Sequence, residues 1–262
     1  MLPIHKRLIC FFALSCALTW VENLCNLLWP SEWWSVPMNP FGPLVAAAIF
    51  IPLTEGRQGL RAWWQRITRF RAPLHVYAVS FLIPLAIIIA SFGATIAAGA
   101  ELAPLPHYDW TEVLLMVTLV PFFGPIPEEL SFRGYGLKRL QETISPLAAS
   151  LWIGFGVMIW HVPLLLTGDL PVTVLLPLAG VAVVYGWLYR NGQSVWPLVI
   201  LHGQLNVCSA LVTGPMMPGR ADQAVYLAFL GLFYLGWAVW IIWRSGPSLA
   251  GRAADRGLSM PV

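Results

Sequence analysis

Long apolar stretches separated by short polar breaks run through this chain from end to end. Eight of them, at about 8–29, 38–54, 75–99, 110–140, 146–167, 171–189, 194–213 and 223–243, approach the length of roughly 20 mostly apolar residues that a helix needs to cross a bilayer. The pattern predicts an all-α fold, a polytopic membrane helical bundle of about eight transmembrane helices. No internal repeat, low-complexity run or linker interrupts it, so residues 1–262 are expected to form a single integral membrane domain. The fourth stretch is compound. Pro121, Pro125 and Pro127 each remove a backbone donor and must kink or break it just before a pair of glutamates. Ser145 and Pro146 read as an N-cap followed by a first-turn proline, opening the fifth helix.

Composition agrees with a membrane protein. The 262 residues are 58% hydrophobic and only 10% charged, against roughly 25% charged in soluble domains. A net charge of +3, dispersed along the chain, does not suit nucleic acid. The four cysteines show no C-x-x-C spacing and lie in apolar stretches, so they read as reduced packing residues. Lys6 and Arg7 precede an apolar run that continues to Trp29 without a small-x-small site, which points to a first span rather than a cleaved leader.

The basic residues give the orientation. With the N-terminus in the cytoplasm, fourteen of the fifteen Lys and Arg side chains fall on the cytoplasmic side and only Arg220 on the other. Eight spans return the C-terminus to the cytoplasm. The stretch 59–71, with Trp63, Trp64 and several arginines, reads as a basic helix lying on the inner membrane surface. Trp29, Trp33, Trp34, Trp63, Trp64 and Trp243 are placed in the interfacial belts.

Against this background the run Pro127-Glu128-Glu129-Leu130-Ser131-Phe132-Arg133 stands out. One ionisable side chain in hydrocarbon costs at least a few kcal/mol, so three within six residues need a reason. Glu129 and Arg133 are four apart, acid first, and can pair. Glu128 is turned about 100° away and has no partner in its own segment. Three further polar groups lie in later spans: His161, and then His202 with Asn206, which share one helical face. At 1.5 Å per residue from the basic ends, Glu128 lies about 15 Å deep, His161 about 22 Å, and His202 and Asn206 about 12 and 18 Å. The depths overlap on three helices. Glu128 with His161 can hold and deprotonate a water, while His202 and Asn206 can donate hydrogen bonds to an oxyanion. Such a set makes a hydrolytic site for a carbonyl, with Glu129 and Arg133 as its brace. Glu22 and Asn26 form another pair four apart, read as structural.

These motifs resemble those of the CPBP family, which comprises type II CAAX prenyl endopeptidases and Abi-type intramembrane proteases. The family pattern E-E-x-x-x-R, F-x-x-x-H and H-x-x-x-N/D is matched by Glu128, Glu129 and Arg133, by His161, and by His202 and Asn206. The phenylalanine position of the second motif holds Val157, a departure that touches the packing beside His161 and not the histidine itself. Phe41-Gly42-Pro43 and Ser194-Val195-Trp196-Pro197 also look like family features, and the resemblance covers about residues 40–210. It implies water activation by Glu128 and His161, an oxyanion hole of His202 and Asn206, and endopeptidase cleavage of a membrane-associated protein or peptide. A bacterial inner membrane is the expected setting, and a prenylated substrate is not expected. No cofactor is expected either. Three other readings stand beside this one. A zinc protease would use Glu128, His161 and His202 as ligands, although the H-E-x-x-H helix is absent. A non-catalytic immunity or scaffold protein would not need the complete motif set. A proton-coupled transporter would be expected to show paired, symmetric broken helices.

Overall fold

The computed structural model describes residues 3–28 and 38–250, and every regular element among them is helical. In chain order these are α1 (Ile4–Leu28), α2 (Gly42–Ile67), α3 (Leu74–Ala97), α4 (Trp110–Leu119), α5 (Pro125–Glu128), a π-helix (Glu129–Leu137), α6 (Lys138–Leu140), α7 (Pro146–Trp160), α8 (Val162–Leu166), α9 (Leu175–Gly192), α10 (Trp196–Cys208), a second π-helical stretch (Ser209–Thr213), α11 (Gly214–Met216) and α12 (Arg220–Ser245). The chain is an integral membrane protein. Of the predicted belt residues, Trp29, Trp33 and Trp34 lie outside the described residues, as does the side chain of Asn26.

Among the described residues, six segments are long and apolar enough to cross a membrane: Ile4–Cys25, Leu74–Ala97, Trp110–Leu140, Val172–Gly192, Trp196–Met216 and Arg220–Ser248. They correspond to six of the eight expected stretches. The two remaining apolar stretches do form helices, but each is cut short. α2 turns at Gly56, whose φ of 67° lies in the left-handed region that glycine enters freely, and its second half is basic. α7 has 15 residues and stops at Trp160, before Pro163.

The local chemistry explains the boundaries. Ser145 caps α7 by accepting a bond from the Ala148 N–H at 3.3 Å, and Pro146 occupies the first turn. The compound span breaks where its prolines lie: α4 ends at Leu119, a 3-10 turn covers Val120–Phe123, and Gly124 leads into α5. α4 has no buried residue, whereas residues 127–137 form an unbroken buried run. That run is the centre of the protein.

Aromatic rings hold its far side. Phe132 stacks on Phe12 at 5.3 Å and meets Trp160 edge-on at 5.6 Å, while Tyr135 meets Phe11 at 5.2 Å. α1 in turn secures the end of α7. Trp160 Nε1 donates to Thr19 Oγ1 at 2.9 Å, and Trp20 Nε1 donates to the Trp160 carbonyl at 3.0 Å. Gly42 sits against the same Thr19: a Cβ there would lie 2.1 Å from Oγ1 and 2.9 Å from the backbone nitrogen. Glu22 accepts from Asn39 Nδ2 at 3.2 Å just before that crossing.

Gly42→Val should therefore push α2 off α1 and lower stability by about 1–3 kcal/mol, the usual cost of overpacking. Thermal unfolding in detergent would show it as a fall in Tm, and an unchanged Tm would mean that the crossing is not tight.

Candidate active site

The π-helix carries the charged motif into the interior. Helices of this type are rare and usually short, and they occur often at functional sites. Here the element runs for nine residues, all buried. Two of its carbonyls take partners from α2: Trp63 Nε1 donates to Leu130 O at 2.9 Å, and Arg66 Nε donates to Gly134 O at 3.0 Å. Trp63 is thus a buried donor, 5% exposed, and not the interfacial residue expected from its position. Trp64 and Trp243, at 61% and 72% exposure, do fit the belt.

Glu129 is completely buried and its Oε1 accepts two bonds, from Arg133 Nη1 at 3.1 Å and from His202 Nδ1 at 2.9 Å. The pairing with Arg133 is the one expected from spacing. The bond to His202 was not expected, since it joins groups 73 residues apart. Arg133 also lies over the ring of Tyr185, with Cζ 4.3 Å from the centroid, a cation–π contact in a desolvated setting. Glu128 is buried as well, yet among the described residues it makes no ion pair or hydrogen bond through its carboxylate.

His161 ends α7. Its Nδ1 lies 2.9 Å from the Val157 carbonyl, which can only accept, so Nδ1 is the donor and Nε2 is left for other chemistry. Val157 serves the histidine through its backbone and is itself buried, whereas Phe155 points outward at 59% exposure.

His202 and Asn206 project from α10 toward α5. Gly124 lies between the motifs: a Cβ on it would come within 3.2 Å of Asn206 Nδ2 and 3.6 Å of Glu128 Oε1. The bare backbone lets the amide and the carboxylate approach the same space. Glu128, Arg133, His161, His202 and Asn206 all line one cavity of about 210 Å³. Its other walls are apolar, from Leu178 and Val181 on α9, Leu205 on α10, and Leu227 and Leu230 on α12. Three tyrosines complete the lining, Tyr185, Tyr226 and Tyr234, and the Tyr234 hydroxyl is buried without a partner among the described residues. These tyrosines are not among the site residues expected from the sequence. Their only signal was a hydroxyl in an otherwise apolar span, as in Val183-Val184-Tyr185.

Both Nδ1 atoms are thus committed, to Val157 O and to Glu129. Among the described residues, no three His, Cys, Asp or Glu side chains are gathered closely enough to hold a metal ion.

The bundle thus gathers Glu128, Arg133, His161 and His202 around one interior cavity. Residues 110–208 match the family described as type II CAAX prenyl endopeptidase Rce1-like, a match that supports the resemblance to CPBP intramembrane proteases. The matched segment runs from α4 through α10 and holds all six motif residues, whereas α12, which supplies one cavity wall, lies beyond it. No curated protein matches the chain.

Removing one member of a buried ion pair leaves an uncompensated charge, at a typical cost of about 3–5 kcal/mol. Arg133→Ala should lower Tm in detergent accordingly, and Arg133→Lys should recover part of the loss by restoring charge without the planar contact to Tyr185. Equal Tm values for wild type and Arg133→Ala would mean that the pair does not brace the fold.

Proposed function

We propose that this protein is an endopeptidase that cleaves a membrane-associated protein or peptide with water activated by Glu128 and His161. The observation that carries the reading is the convergence of Glu128, His161, His202 and Asn206 on one cavity, with both histidines held by Nδ1 so that Nε2 is free.

In this mechanism Glu128 takes a proton from a water that His161 Nε2 helps to orient, and the resulting hydroxide attacks the scissile carbonyl. With His202 in the doubly protonated form, its Nδ1–H on Glu129, the tetrahedral oxyanion accepts hydrogen bonds from His202 Nε2–H and Asn206 Nδ2–H. Glu129 accepts from the opposite side of His202, which keeps Nε2–H aimed at the oxyanion. As the C–N bond breaks, the proton held by Glu128 passes to the departing amine. Arg133 holds Glu129 throughout. The apolar walls suit a substrate that enters from the bilayer with apolar side chains beside the scissile bond.

Catalysis in this scheme uses no metal. Asn206 supports that choice, because an amide is a good hydrogen-bond donor and a poor zinc ligand. Glu128→Gln should leave expression and Tm unchanged and abolish cleavage of substrates found by comparing the membrane proteomes of wild-type and variant cells. Near-wild-type cleavage by the variant would remove Glu128 from its role. Asn206→Ala should lower kcat by about 10²–10³-fold with little effect on KM, and prolonged chelation should leave wild-type activity intact. Stoichiometric zinc, with activity lost on chelation and restored by zinc, would instead turn Glu128, His161 and His202 into ligands.

The proposed setting is a bacterial inner membrane with both termini in the cytoplasm, on the strength of the arginine distribution over eight crossings, with the first half of α2 and the α7–α8 pair as the two shorter ones. A cysteine at the exposed position Gln65, after removal of the native cysteines, should react in intact cells only with membrane-permeant thiol reagents. Labelling by an impermeant reagent would invert the orientation.

A further inference from the structure

The second half of α2 takes no part in the proposed chemistry, yet it touches both helical segments that carry most of it. From Arg57 to Arg71 the chain has five arginines and no acidic residue. Gly59, Trp63 and Ile67 are buried, while Arg57, Arg61, Trp64 and Gln65 are exposed, the two-sided pattern of an amphipathic helix. Arg69, Phe70 and Arg71 extend the exposed strip past the helix end.

The inward side is bonded to the site at two places. At the π-helix, Trp63 and Arg66 donate to the carbonyls of Leu130 and Gly134, on either side of Arg133. At the start of α10, Trp196 Nε1 donates to Ile67 O at 2.9 Å and Ser194 Oγ donates to Arg69 O at 2.6 Å. The Phe70 ring stacks on Trp196 at 4.3 Å. One short segment therefore presents fixed positive charge to its surroundings and grips the supports of Glu128, Glu129, His202 and Asn206.

The exposed groups match an anionic bilayer surface. Guanidinium groups form paired hydrogen bonds with phosphate oxygens, and an exposed indole anchors at the headgroup level. Each arginine near such a surface is worth about 1 kcal/mol, or about fivefold in binding. We propose that residues 57–71 are a receptor for anionic lipid headgroups, and that lipid held there tightens the π-helix and the start of α10. Bound headgroups offset the mutual repulsion of Arg57, Arg61, Arg69 and Arg71, so the segment stays seated and its four hydrogen bonds to the two site segments persist. The inference is independent of proteolysis.

The test needs no substrate. The full chain is placed in nanodiscs of phosphatidylcholine alone or mixed with phosphatidylglycerol. Lipid retention is read by native mass spectrometry and amide hydrogen exchange over Glu129–Leu137 by peptide mass analysis. Phosphatidylglycerol should be retained preferentially and should slow exchange in that segment several-fold, with exchange in α12 unchanged. Arg57, Arg61, Arg69 and Arg71 changed together to Gln should cut that preference by about a hundredfold or more and return the exchange to its phosphatidylcholine rate. If the quadruple variant does not assemble, Arg61→Gln alone should show a loss of about fivefold. Trp63→Phe should keep the lipid preference and lose the exchange response. Equal lipid retention by wild type and the arginine variants overturns the receptor, and exchange in Glu129–Leu137 that is indifferent to phosphatidylglycerol overturns the coupling.

Discussion

A single carboxylate oxygen ties this bundle together where it is least tolerant of charge. Glu129 Oε1 accepts from Arg133 within its own segment and from His202 on a helix reached only 73 residues later. Burying an ionised acid without such partners costs several kcal/mol. With them, three ionisable groups become one hydrogen-bonded unit, and the position of α10 is set relative to the π-helix. Arg133 is in turn held by the face of Tyr185 on α9, so the unit reaches a third helix without a further charge. Glu128, which takes no part in this unit, faces the cavity instead.

The surroundings repeat the same division of labour. Trp160 is gripped from α1 through its indole and its carbonyl, which fixes the residue before His161. His161 is then turned by the Val157 carbonyl one turn back. None of these supports is charged. Backbone carbonyls and indole N–H groups do the positioning, while the ionisable side chains keep their outward atoms for the cavity.

Much of the site was legible in the sequence because charge in an apolar chain is conspicuous. The four-residue spacing of Glu129 and Arg133 gave their contact, and counting along three helices gave Glu128, His161, His202 and Asn206 a common depth. What could not be read were contacts decided by packing. Where every position is buried, as across residues 127–137, no polar face remains to show whether the backbone turns as an α-helix or a π-helix. Trp63 and Trp64 are adjacent and look alike on paper, yet one faces the core and the other the surroundings. Two of the eight expected stretches lack a long uninterrupted apolar helix for a related reason: apolar content does not disclose that α2 bends at Gly56 or that α7 ends after 15 residues.

The π-helix also makes chain length a parameter of the site. A backbone that bonds five residues back holds more residues per turn than its α-helical neighbours. Loss of one residue between Glu129 and Leu137 would let the segment relax into ordinary α-helix, each remaining residue turning further than before, so that the two ends keep nearly the same phase. Arg139 could then stay with Glu55, to which it is ion-paired on the far side. The side chains between the ends would be redistributed instead, and a loss between Glu129 and Arg133 would change their spacing from four residues to three. The extra winding gives the segment a residue that its ends can spare and its middle cannot.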